Sequence, residues 1–150
     1  MSMGQMLLVL LGLALFSTLI MSYYSTFASQ IDWIEKNQIQ KQALRIVDFH
    51  FQLIESRIIS GTSVNAILPE YGNFFTPMDT MFVNNIPYKV YLRAQPSKAD
   101  GDTLNVPSPP QYIKMNARIV AYRADKDSVE VGLVDLSISK VFGDVFMPGS

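Results

Sequence analysis

The chain reads as an α+β protein: a long N-terminal helix, apolar in its first half and amphipathic in its second, packed on a small antiparallel β-sheet. Three observations carry that reading. Met1 to Ile31 contains no Asp, Glu, Lys, Arg or His. From Lys41 onward the apolar residues recur at steps of three and four. The C-terminal half holds β-like alternating runs separated by Pro- and Gly-rich breaks.

The apolar helix comes first. Met6 to Tyr24 covers about 28 Å at 1.5 Å per residue, close to the thickness of a hydrocarbon core. Its Leu, Ile, Val and Phe side chains each favour insertion by roughly 0.3–0.6 kcal/mol, with no charge to oppose them. Tyr23 and Tyr24 close the run, where amphipathic rings prefer the membrane interface. No proline occurs before Pro69, so the helix is expected to continue into an amphipathic stretch. There Leu44, Val47, Phe51, Ile54 and Ile58 share one face, and Lys41, Arg45, Asp48, Gln52 and Glu55 share the other. Gly61 offers a left-handed cap at Ser60-Gly61-Thr62. An unbroken helix from Gln5 to Ser60 is on the order of 80 Å long, so much of it must find burial outside its own small domain.

Val64 to Asn85, with Pro69, Gly72 and Pro77 among Phe74, Phe75, Met78, Met81 and Phe82, reads as an irregular connector packing aromatics onto the helix. Tyr88 to Arg93 alternates as a strand. Gln95 to Gln111, with Pro96, Pro107, Pro109, Pro110 and Asp100-Gly101-Asp102, reads as a surface loop. Ile113 to Tyr122 and Val129 to Leu136 are two further strands joined through a turn at Asp125 to Ser128. Ser137 to Phe146 is open between a short helix and a last strand. The organisation expected is thus 1–30 as membrane or filament-core helix, 31–61 as its amphipathic continuation, and 62–150 as a small β-rich domain.

Composition excludes several function classes. Twelve basic and 13 acidic residues, evenly mixed, give no electrostatic footprint for nucleic acid. The absence of cysteine removes disulfides, thiolate metal sites and thiol catalysis together. The lone histidine, His50, cannot complete a zinc site, and packing or surface placement is its expected role. Asp100-Gly101-Asp102 lacks the ligand run of a calcium loop and reads as a plain turn. No nucleophile elbow, phosphate loop or dinucleotide fingerprint is present, so neither enzyme activity nor a metal nor a cofactor is expected.

The charge-free start has three readings. One is a permanent single-span anchor. Another is a cleaved secretory signal ending near Thr26-Phe27-Ala28, although its apolar stretch exceeds the usual 7–15 residues and no basic residue precedes it. The third takes the whole layout together: Met1-Ser2-Met3-Gly4, about 20 apolar residues, an amphipathic helix and a small β domain. This layout resembles type IV pilins and the pseudopilins of secretion systems.

In that family a prepilin peptidase cuts after a glycine preceding the apolar segment. The resemblance implies cleavage after Gly4, with Gln5 as the new N-terminus. The family's basic leader and its acidic residue five places into the mature helix have no counterpart: Met1 to Gly4 holds neither Lys nor Arg, and Val9 stands at the acidic position.

The resemblance further implies a structural subunit of a pilus-like surface filament or secretion pseudopilus. Its partners would be membrane lipid before assembly, copies of itself afterwards, and other envelope or secretion proteins. Apolar helices stored in a bilayer leave it only by packing on one another. The expected assembly surface is Met6, Leu7, Leu8, Leu10, Leu11, Leu13, Leu15, Phe16 and Leu19. Gly12, Ser17 and Ser22 would let helices approach closely.

The alternative class is a single-span anchored envelope protein recruiting a partner through its β domain. Lys36, Lys41 and Arg45 follow the span and by charge alone place the C-terminal domain in the cytoplasm. The pilin-like layout places it outside an inner or cytoplasmic membrane, which is the orientation expected here.

Overall fold

The computed structural model describes residues 2–72, 78–124 and 130–144. Helix α1 runs without interruption from Met3 to Ile59. It is followed by a four-residue helix α2 (Val64–Ile67) and a single 3-10 turn (Leu68–Tyr71). Four strands come next: β1 (Asp79–Val83), β2 (Ile86–Ser97), β3 (Tyr112–Ala124) and β4 (Glu130–Gly143). Each strand pairs antiparallel with the next, giving one sheet in the order β1-β2-β3-β4. The expected α+β class is therefore the observed one. By its contacts the chain divides into two units, Met1–Gln38 and Ile39–Ser150.

In the second unit, α1 ends as its sequence dictates. Gly61 takes φ 102°, Thr62 N–H donates to Arg57 C=O and Gly61 N–H to Ile58 C=O, both at 3.0 Å. These two bonds are the Schellman pair, and they satisfy carbonyls that the last helical turn leaves without partners. Arg57 and Glu70 form a two-pronged ion pair at 2.6 and 2.8 Å, fastening the 3-10 turn to the helix end and holding the Glu70 carboxyl below its usual range. The Asp144 carboxylate accepts the Val64 N–H at 2.8 Å, joining the start of α2 to the far end of β4.

The core is built from one arc of α1 laid on one face of the sheet. Ile39, Ala43, Ile46, Val47, Phe51, Ile54 and Ile58 are buried. They meet Tyr88, Val90, Leu92 and Ala94 of β2, Ile113, Met115, Ala117, Ile119 and Ala121 of β3, and Phe142 of β4. The alternate positions face the other way, as the period of two requires. Phe51 meets Phe142 edge-on, with ring centroids 5.9 Å apart. Glu55 reaches Lys140 on β4 at 3.2 Å, and the Lys140 ammonium lies over the Phe142 ring.

Three expectations change and one open stretch resolves. Leu44 does not cover the sheet; it is 44% exposed, and Ala43 and Ile46 are buried instead. At about 100° per residue the buried arc centres near Val47 and Ala43, which puts Leu44 roughly 90° off its axis. There it lines a groove with Arg45, Asp48 and Ile138.

The stretch read as an irregular connector contains α2, the 3-10 turn and strand β1. β1 reaches β2 through a two-residue loop, Asn84-Asn85, with φ 50° and 62°. Both residues take the left-handed conformation that a type I′ hairpin turn needs and that Asn tolerates.

β2 runs on through Pro96 to Ser97, where a loop was expected. β1 pairs with β2 only as far as Val90, so beyond that point one side of β2 is an edge among the described residues, and a residue without N–H is tolerated there. Ser137 to Gly143 resolves as strand, pairing with β3 down to Tyr112. The expected turn at Asp125 to Ser128, the aromatics Phe74 and Phe75, and Phe146 lie outside the described residues.

The remaining loop is a tight surface turn. Lys98 pairs with Asp102 at 3.0 Å, Asp100 accepts the Asp102 N–H, and Asp102 accepts the Leu104 N–H. These carboxylates are engaged in holding their own backbone, which is the plain-turn geometry. His50 is largely buried beside Asp79, 3.5 Å away; burial outweighs the neighbouring carboxylate and lowers its pKa.

Candidate functional site: the charge-free helical segment

From Met3 on, the first unit consists of α1 residues, and its chemistry is that of their outward surface. Every residue of the expected assembly surface is exposed: Met6, Leu7, Leu8, Leu10, Leu11, Leu13, Leu15, Phe16 and Leu19 range from 57% for Met6 to 72% for Leu8. Consecutive apolar residues at 6, 7 and 8, and again at 10 and 11, distribute this surface round the whole circumference rather than along one stripe. A helix apolar all round demands an apolar surround, since water would meet it on every side. By length and composition the segment is long and apolar enough to cross a membrane, and none of it is buried within the chain.

Three of its hydroxyls are turned inward. Thr18 Oγ1 donates to Leu15 C=O at 2.8 Å, Thr26 Oγ1 to Ser22 C=O at 2.9 Å, and Ser29 Oγ to Thr26 C=O at 3.0 Å. Each hydroxyl thereby satisfies its donor on the helix itself, removing the cost of placing it in an apolar medium. Tyr23 lies edge-on to Tyr24 and stacks on Phe27, with centroids 6.2 and 6.4 Å apart. Trp33, exposed by 68%, extends this aromatic band just past the first charge, Asp32. Sequence reasoning stopped the band at Tyr24. Phe27 and the only tryptophan were the signal for its continuation, because both lie within three turns of that pair on a helix with no breaker.

The head of the helix is capped by its own sequence. Ser2 N–H donates to Gln5 Oε1 at 3.2 Å, while Gln5 N–H faces Ser2 Oγ at 3.3 Å and Ser2 C=O at 3.1 Å. This is a reciprocal capping box of the S-x-x-Q type. The peptide bond joining Gly4 to Gln5 therefore sits within the first helical turn. A Cβ built on Gly4 meets nothing within 4 Å, and the same holds at Gly12. Neither glycine is required by packing inside the chain.

Among the described residues no group of three or more His, Cys, Asp or Glu is placed to hold a metal ion. No family model, no curated protein and no solved structure matches the chain.

Proposed function

We propose that this chain is a membrane-born structural subunit that polymerises through its apolar helix, as the building block of a pilus-like surface filament or a secretion pseudopilus. The observation that carries the reading is the full circumference of exposed apolar side chains on the first unit, joined covalently to a second unit with a complete core of its own. A bilayer covers that surface first. Copies of the same helix cover it after assembly, which conserves the apolar burial and makes extraction from lipid energetically tolerable. The inward-turned hydroxyls and the aromatic band support the membrane stage. The folded unit lies outside the membrane and forms the filament's outer surface.

Shearing native cells and imaging the released material tests this. A filament subunit is the main band of the sheared fraction, identified by mass spectrometry, and filaments are visible by electron microscopy. A protein that stays wholly with the membrane is instead a single-span anchor recruiting an envelope partner through its sheet unit.

A further inference from the structure

We infer that the second unit carries a self-association surface of its own: the free edge of β1 in one copy pairs antiparallel with the free edge of β4 in the next, with Asp79 opposite Lys140. The surface belongs to the second unit alone, so it goes beyond the helix-driven assembly proposed above and stands or falls separately from it.

Both edges are open. In the order β1-β2-β3-β4 the two outer strands each pair on one side only among the described residues. β4 offers an edge 14 residues long, where natural sheets blunt their edges with shortness, proline or a bulge. Its register shift lies at Ala121 and Tyr122, so the run from Leu136 to Gly143 is regular, and it holds no proline.

The strand directions make the fit head to tail. Each strand is antiparallel to the next, so β1 and β4 run in opposite directions. A second copy of the unit set beside the first in the same orientation therefore brings its β1 antiparallel to β4, with the covering arc of α1 on the same face of the shared sheet. Each copy spends one edge on each neighbour, a heterologous contact that repeats rather than closing on a two-fold axis.

Side-chain chemistry selects the register. Asp79, Met81 and Val83 of β1 and Leu136, Ile138 and Lys140 of β4 occupy the helix-facing positions, in line with the buried core residues of β2 and β3. One alignment sets Asp79 opposite Lys140, Met81 opposite Ile138 and Val83 opposite Leu136. The four apolar side chains are only partly buried within one copy, so the pairing completes their removal from water. A slip of two residues sets Asp79 against Ile138 in one direction and against Phe142 in the other, leaving a carboxylate beside an apolar neighbour. On the opposite face the same alignment places Thr80 by Ser139 and Phe82 by Ser137. Phe82 is 73% exposed, and the two small serines leave room for its ring.

The groove beside the β4 edge receives the incoming strand. It is lined by Leu44, Val47, Phe51 and Ile138, with Arg45 and Asp48 at its rim, and it opens where Met81 of the neighbouring copy arrives opposite Ile138. An unbranched thioether suits such an irregular gap. Lys140 already bonds Glu55 at 3.2 Å, and its ammonium carries three donors, enough to hold the neighbour's Asp79 as well.

The chain has no cysteine, so disulfide trapping reads the register directly. Full-length Thr80→Cys and full-length Ser139→Cys, both altered at exposed positions, are mixed in dodecyl maltoside micelles and oxidised. Directly opposite residues have Cα atoms about 4.5–5.5 Å apart, within disulfide reach, whereas diagonal ones lie at about 7–8 Å. The mixture should give a dimer, either variant alone little of it, and Ser137→Cys in place of Ser139→Cys much less. A chain carrying both Thr80→Cys and Ser139→Cys should give a ladder of higher multiples. Adding Lys140→Glu to the Ser139→Cys chain should cut the dimer yield roughly tenfold, and adding Asp79→Lys to the Thr80→Cys chain should restore it. A mixture that stays monomeric overturns the inference, as does Ser139→Cys dimerising by itself as readily as the mixture. Faster trapping through Ser137→Cys, or a yield that Asp79→Lys does not restore, overturns the register. Imaging of sheared cells reads the filament separately, so this contact and the helix-driven assembly fail on different measurements.

Discussion

Replacing Phe51 by Ala measures how far the second unit depends on the arc of α1 that covers its sheet. The unit's buried core begins at Ile39, so a fragment starting at Gln30 keeps every core residue and sheds most of the apolar segment. Phe51 is 4% exposed and its ring meets Phe142 edge-on. Truncating a buried aromatic to Ala typically costs about 3–5 kcal/mol, and the edge-to-face contact accounts for about 0.5–1.5 kcal/mol of it.

For a unit of this size that corresponds to a fall in Tm of about 12–20 °C, taking about 4 °C per kcal/mol. Urea unfolding followed by circular dichroism should show the midpoint fall with an unchanged slope. A double-mutant cycle with Phe142→Ala should return a coupling of about 0.5–1.5 kcal/mol. Leu44→Ala, two helical turns away and outside the buried arc, should cost less than about 1 kcal/mol. A loss under about 0.5 kcal/mol for Phe51→Ala, or equal losses for Phe51 and Leu44, would refute this assignment of the helix face.

Leu13→Arg places a charge in the middle of the apolar segment at a cost of roughly 2.5–3.5 kcal/mol on the insertion scale, and should abolish both stable membrane residence and surface filament; undiminished filament removes the assembly role of this helix. A Cβ at Gly4 meets no atom within 4 Å in the chain, so Gly4→Leu should leave folding intact and block only cleavage, read as an unshortened band; normal shortening shows that no prepilin-type peptidase acts there. Gly61→Ala forces a Cβ into φ 102° and should destabilise the fragment by about 1 kcal/mol, measured by the same urea titration.

Acidification acts through His50. Its folded pKa lies below the unfolded value of about 6.5, so the unfolded chain binds the proton first. Stability is therefore full above about pH 6.5 and falls as the pH drops below it, until the folded pKa is reached. His50→Gln should remove that portion of the pH dependence of the urea midpoint, and an unchanged profile would show that the imidazole does not contribute.

The long helix, its Gly61 stop and the last two strands were legible because each rests on a local signal: an absence of breakers, a left-handed cap, a period of two. The same logic gave Val47, Phe51, Ile54 and Ile58 as core. It failed at Leu44 because a three-and-four rule fits either Leu44 or Ala43 below Val47, and only the position of the sheet decides between them. β1 was missed because proline, glycine and aromatics nearby masked a five-residue alternation; Asn84-Asn85 was the available clue. Pro96 misled because strand edges are a property of the sheet, and the length of β1, which makes that part of β2 an edge, is not written in β2. For the charge-free segment the residues proposed for assembly were read directly, since such a helix exposes whatever it contains. The capping of Gln5 by Ser2 was written as S-x-x-Q and went unread beneath the cleavage motif.

The bond from Val64 to Asp144 also sets a timetable. The arc of α1 from Ile39 to Ile58 has no sheet to cover until β2, β3 and β4 have been synthesised, and the clasp closes only with Asp144. Translation at about 5–20 residues per second puts roughly 4–17 s between Ile59 and Asp144. The apolar segment at the head of the chain leaves the ribosome well before that, so in the membrane-born subunit we propose, lipid would receive it while the second unit is still unfolded. On that proposal anchoring would precede folding, and the sheet would close on a helix whose other end is already tethered.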